Sequence, residues 1–277
     1  MILDAHQHFW VMANPFTDWP TPGMQPIDRD FLPADLAAEA AGAGVTATVL
    51  VQAAPCLAET HWLLDLARAN PLVRGVVGWV DLAAPDAVYR VTALARQLLL
   101  KGLRPMLQDI AEPGWVLRPD VEPAMRAMSQ LGLGFDALVR HGQIADIAEL
   151  ARRHPDLRIV LDHGGKPDIA GGGLSPWARD IEALAAHPNV WCKLSGLWTE
   201  AGGDRSDKVI APYVDQIIAC FGAGRTIWGS DWPVIRLAGE YRDWLAQCRR
   251  LLDGIGAEGR KRVFALNGME FYGLAAS

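Results

Sequence analysis

Two histidines separated by one residue, His6-Gln7-His8, stand at the end of the first apolar run of the chain. Side chains alternate across a strand with a period of two, so both imidazoles share one side. They point toward the axis of a barrel if Leu3 and Ala5 keep the expected phase. Neutral imidazole is a common ligand for zinc, and a rigid strand end holds such a pair at nearly fixed geometry. Two further polar residues occupy other expected strand ends: His163 in Ile159-Val160-Leu161-Asp162-His163, and Asp231 in Ile227-Trp228-Gly229-Ser230-Asp231-Trp232. If the last strand pairs with the first, Asp231 lies beside the His6/His8 pair. Three histidines and an aspartate match a mononuclear zinc site with an open position for water. The competing reading of His6 and His8 is a pair of ordinary hydrogen-bonded core histidines.

Lys166 and Arg104 are the basic residues best placed to orient an oxygen-rich substrate or stabilise an oxyanion, with Gln108 as a neutral donor at the end of the fourth strand; surface ion pairing is the competing reading for the two basic residues. Pro105 fits poorly in a buried parallel strand because it cannot donate to the ladder. His141, just beyond the fifth strand, either reaches the site or begins the next helix. His154 and His187 each precede a proline at a helix end, where a cation complements the helix dipole, and His61 lies within a helix. Among 11 tryptophans, Trp10, Trp19, Trp79, Trp198 and Trp232 fall at or after strand ends. There an indole offers a stacking face to a sugar-like ring or simply packs the rim. Ser230 is not in a G-x-S-x-G elbow, which argues against a serine nucleophile. Cys56, Cys192, Cys220 and Cys248 lack the short paired spacings of thiolate metal or redox sites.

The elements that must position these groups are eight short apolar, β-branched runs. They cover Ile2-His6, Val45-Val51, Val73-Val80, Gly102-Leu107, Leu133-Val139, Arg158-His163, Val190-Leu194 and Thr226-Gly229. Between them lie segments with apolar residues three and four apart, such as Leu57-Asn70, Asp86-Leu99, Gln143-His154 and Asp207-Phe221. Strict alternation implies parallel pairing with right-handed crossovers, and eight units in 277 residues suit an α/β fold of the closed (β/α)8 TIM-barrel type. Chemistry then belongs at the C-terminal ends of the strands. Two long loops border that face. Asn14-Pro33 carries five prolines and is long enough to be a lid, and Gly164-Gly173 carries five glycines directly after the sixth strand.

Residues 1–277 read as one domain, with 51% hydrophobic and 21% charged residues supplying ample material for a core. A formal charge of -6 provides no general attraction for nucleic acid or an anionic membrane, so a small-molecule partner is expected. No apolar run approaches the ~20 residues that span a bilayer, and the first residues lack the pattern of a secretory signal. A cytoplasmic location follows as an expectation, and a homo-oligomer is compatible with it.

Four segments, in order and spanning nearly the whole chain, carry a resemblance. They are Asp4-Ala5-His6-Gln7-His8-Phe9-Trp10, Arg29-Asp30-Phe31-Leu32-Pro33, Leu161-Asp162-His163-Gly164-Gly165-Lys166-Pro167 and Trp228-Gly229-Ser230-Asp231-Trp232-Pro233. In these the chain resembles the sugar-lactonase branch of the amidohydrolase superfamily. The resemblance implies an amidohydrolase-like barrel that hydrolyses a lactone of the L-fuconolactone or L-rhamnonolactone kind to its aldonic acid. It casts His6, His8 and His163 as the barrel-mouth histidines and Asp231 as the carboxylate that handles the proton. With no lysine at the end of the fourth strand to bridge two ions, it implies one divalent metal, zinc, or a metal-free mechanism in which the histidines and Lys166 polarise the carbonyl. Decarboxylases of unsaturated or aromatic acids resemble the superfamily too, and a barrel that binds a sugar acid without turnover is the third reading.

Overall fold

A computed structural model describes residues 1–13, 15–16 and 19–275; Asn14, Thr17 and Asp18 of the expected lid lie outside the described residues. Eight strands form one parallel sheet in sequential order: β1 (Leu3–Gln7), β2 (Ala47–Val51), β3 (Val73–Gly78), β4 (Leu100–Leu103), β5 (Gly134–Ala137), β6 (Ile159–Leu161), β7 (Val190–Leu194) and β8 (Thr226–Trp228). The crossovers carry α1 (Pro33–Ala43), α2 (Leu57–Ala69), α3 (Ala87–Ala95), α4 (Glu122–Gln130), α5 (Ile144–Arg153), α6 (Trp177–Ala185), α7 (Leu197–Glu200) and α8 (Asp207–Arg225). Beyond β8 follow α9 (Tyr241–Leu251), α10 (Gly256–Lys261) and α11 (Asn267–Phe271). The architecture is the (β/α)8 barrel implied by strand-helix alternation.

The helices exist because their apolar residues recur on one face. In α5, Ile144, Ile147, Leu150 and Ala151 are buried, while Arg152 and Arg153 complement the helix C-terminus. The strands are buried on both faces. Leu50, Val76, Leu103, Phe135, Leu161 and Trp228 belong to the layer between sheet and helices. Leu3, Ala5, Val49, Val51, Val77, Val160 and Ile227 form a separate cluster inside the barrel. Phe271 and Tyr272, at the end of α11, join this inner cluster and plug the barrel floor opposite the strand C-termini. Closure between β8 and β1 is made just past the end of β8, where Asp231 N donates to His6 O at 2.8 Å and His8 N donates to Trp232 O at 2.7 Å.

Several strands end earlier than expected, and two of these bear on candidate residues. β4 ends at Leu103, so Pro105 lies outside the ladder and Gln108 sits in a 3-10 turn, Leu107–Asp109. The objection that Pro105 raised against a buried strand is thereby removed. β6 ends at Leu161, two residues before His163. Among the described residues no helix is long and apolar enough to cross a membrane.

Candidate active site at the barrel mouth

The inner cluster fixes Leu3 and Ala5 as inward-facing, and by strict alternation His6 and His8 would then face outward. They do not, because the pairing of β1 with β2 shifts register: Asp4 opposes Thr48, whereas Gln7 opposes Leu50. Three steps along β1 match two along β2, which is one extra residue. This bulge turns His6 and His8 to the interior and sends Gln7 outward, where its Nε2 donates to Thr48 Oγ1 at 3.3 Å. Parity correctly placed the two imidazoles on one side; the bulge decides which side.

His163 and Asp231 are aimed by strained backbone. Among the described residues, positive φ occurs at three non-glycine positions, His163 (53°), Lys166 (51°) and Asp231 (60°). Such conformations cost energy for L-residues and cluster at functional sites. Gly164 and Gly165, at φ 58° and 74°, complete a left-handed turn with His163 and Lys166 that brings both side chains to the mouth. Beside Asp231, Asp4 accepts hydrogen bonds from Ser230 N (2.8 Å), Tyr241 Oη (3.0 Å) and His6 N (3.2 Å). It thus ties the end of β8 to the bulge of β1.

The four side chains converge. Nε2 of His6 and of His8 are 3.2 Å apart, and Asp231 Oδ1 lies 3.3 Å from His8 Nε2, 3.7 Å from His6 Nε2 and 3.9 Å from His163 Nε2. His8 Nδ1 is 2.8 Å from Val51 O, an acceptor only, so this nitrogen carries the proton and Nε2 presents its lone pair to the centre. Burial pushes His163 down to about 4, against the pull of Asp231 and Asp162. His6 is also depressed, by burial first and then by Lys193. Both rings are therefore neutral near pH 7, the charge state in which an imidazole ligates a metal. Burial alone would raise Asp231, but the imidazoles around it more than offset this and hold the carboxylate well below its ordinary value. A tetrahedral ion with bonds of ~2.0–2.1 Å keeps its ligands roughly 3.3 Å apart. The separations around Asp231 Oδ1 fit that geometry, and His6, His163 and Asp231 form a buried trio able to hold a metal ion.

Beneath His6 lies a group that sequence reasoning missed. Lys193, wholly buried in the barrel interior, pairs with Asp136 Oδ2 at 2.6 Å and Asp162 Oδ1 at 2.9 Å, and its Nζ is 3.1 Å from His6 Nδ1. Tyr272 Oη of the plug donates to Asp136 Oδ2 at 2.6 Å. Burial raises Asp136, whereas Lys193, His6 and Arg104 outweigh burial at Asp162 and hold it ionised. The available signal was Lys193 within Val190-Trp191-Cys192-Lys193-Leu194, a charge in mid-strand that only an inward partner can justify.

Above the centre opens a cavity of about 460 Å³ lined by His8, His163 and Asp231 and by Arg104, Gln108, Lys166 and Trp19. Arg104 Nη2 donates to Gln52 O, and its Nη1 is 3.4 Å from His6 Nε2. His141, Trp198 and Trp232 are not among the lining residues. His141 opens a 3-10 turn, His141–Gln143. Trp198 donates to Gln247 at 2.6 Å and packs on Trp244, while Trp232 packs edge-on against Phe9 and Phe31. Glu200, absent from the sequence-level candidates, joins the lining.

Comparison with known proteins identifies the family. Residues 3–274 match the Amidohydrolase family. An L-fucono-1,5-lactonase of Burkholderia ambifaria is 48% identical over 274 residues, covering 98% of this chain and 94% of that protein. An L-fucono-1,5-lactonase of Burkholderia multivorans is 36% identical, covering 86% of this chain and 84% of that one. The crystal structure of an amidohydrolase from Burkholderia multivorans with bound zinc superposes with a TM-score of 0.94 at 34% identity, over 99% of this chain and 100% of the other. With the family matched from the first strand to the C-terminal plug, the chain belongs to the amidohydrolases.

Proposed function

We propose that this protein is a lactonase that opens a sugar-derived lactone, of the L-fucono-1,5-lactone kind, to its aldonic acid. The observation that carries the reading is the near full-length similarity to a lactonase acting on that substrate. The barrel mouth supports it with an ionised carboxylate among three imidazoles and a cavity large enough for one sugar ring.

In this reading the lactone carbonyl sits over the His6, His8 and His163 edges. These three imidazoles and Asp231 would hold one divalent ion, zinc in keeping with the related structure. When bound, it supplies Lewis-acid polarisation of the carbonyl. Asp231 accepts a proton from the attacking water as the new C–O bond forms. As the tetrahedral intermediate collapses, the bond to the ring oxygen breaks and Asp231 returns the proton to that oxygen. Arg104 faces the developing oxyanion, Lys166 and Gln108 orient the ring, and Trp19 supplies an apolar wall. The product acid ionises near pH 7, so each turnover releases one proton.

The test is a panel of sugar and aliphatic lactones followed by proton release, with and without chelator. Proton release with L-fucono-1,5-lactone at enzyme-dependent rates is expected. Carbon dioxide evolved from an aromatic acid, with no lactone opened, would overturn the assignment.

A further inference from the structure

Two charged side chains of the cavity wall retain hydrogen-bonding capacity that no other described residue uses. Lys166 and Glu200 both line the cavity, with only 22% and 28% of their side chains exposed. Their head groups stand 3.8 Å apart, beyond hydrogen-bond length, and neither makes a hydrogen bond to any other described residue. Half-buried charges favour a ligand that supplies partners for their donors and acceptors. Both are also firmly placed: Lys166 ends the left-handed turn after β6, Glu200 ends α7, and Ala170 N donates to Glu200 O at 3.0 Å, tying the two loops together. Burial raises the Glu200 carboxyl above its ordinary value, with Lys166 opposing.

A carboxylate accepts only and an ammonium donates only. Facing one cavity across a gap too wide for a direct bond, they complement a group with a donor and an acceptor on adjacent atoms. Adjacent ring hydroxyls are such a group, because one can donate while its neighbour accepts.

We infer that Lys166 and Glu200 form a diol-reading pair. The Glu200 carboxylate accepts from one ring hydroxyl, the Lys166 ammonium donates to its neighbour, and the site thereby selects lactones with adjacent free hydroxyls. This rests on the lactonase reading above and names the feature of the substrate that the wall recognises. Charge-assisted hydrogen bonds of this kind discriminate strongly against a substrate that lacks the hydroxyl.

The experiment compares kcat/KM for L-fucono-1,5-lactone with that for δ-valerolactone, the six-membered ring without hydroxyls, in wild type, Glu200→Gln and Lys166→Met. The ratio of the two values is expected to fall about 10–100-fold in each variant. A ratio that stays within about twofold of wild type, whether both substrates suffer together or neither does, overturns the inference while leaving the lactonase reading intact. A wild type that opens neither lactone sinks that reading, and this inference with it.

Discussion

Lys193 supports His6 from the sealed interior of the barrel, its Nζ 3.1 Å from His6 Nδ1. The same nitrogen pairs with Asp136 and Asp162, so one side chain joins the strand 7 interior to strands 5, 6 and 1. Removing one member of a buried ion pair leaves the others uncompensated, typically at about 3–5 kcal/mol. Lys193→Met is therefore expected to lower the unfolding free energy by about that amount in urea titrations. A loss below about 1 kcal/mol would mean that the interior charges are not coupled as the distances imply.

His163 is held against the backbone of Gly196. A Cβ at Gly196, where φ is +64°, would lie 2.5 Å from His163 Nδ1. Gly196→Ala must displace the ring and break its 3.0 Å contact with Ser195 Oγ. Misplacement of this order costs about 10²-fold in kcat. A variant with normal kcat would show that the position of His163 is not critical.

Much of this arrangement is legible in the sequence. The period of two in His6-Gln7-His8 and the strand-end positions of His163 and Asp231 indicate one shared centre, because barrel closure joins the last strand to the first. The bulge in β1 is not legible, since one added residue leaves no mark in composition, yet it determines that the histidines face inward. The interior charges escaped because Asp136 and Lys193 lie within apolar runs whose period marks them as buried without naming their partners. His141, Trp198 and Trp232 follow β5, β7 and β8, but rim packing and a 3-10 turn keep them out of the cavity lining.

Metal binding should register in stability, because an ion held by the folded site alone stabilises that state. At a hundredfold excess over its Kd, zinc is expected to add about 2.7 kcal/mol, raising the thermal midpoint by roughly 5–10 °C. Differential scanning fluorimetry with and without chelator measures this, and His163→Ala should abolish the shift. An equal shift in that variant would place the ion elsewhere.

Glu59 gives stability a pH dependence. Its carboxylate accepts from Ala53 N and Ala54 N behind the cavity wall, and burial raises it from the ordinary 4.5 to about 7. Between these values the folded protein keeps a proton that the unfolded chain releases, so this contribution to stability declines as pH rises. Relative to Glu59→Gln, the wild type should lose on the order of 3 kcal/mol from pH 4.5 to 7, read from urea midpoints. Parallel stability curves for the two proteins would contradict it.

The central claim is that the carboxylate among three imidazoles carries the proton of lactone opening. Asp231→Asn keeps the shape and removes the basicity, so it tests that claim most directly by stopped-flow proton release with L-fucono-1,5-lactone, with unfolding followed in parallel. The account predicts a folded variant whose kcat falls by about 10²–10⁴-fold, the usual worth of a positioned acid-base group. A folded Asp231→Asn protein turning over near the wild-type rate would contradict it.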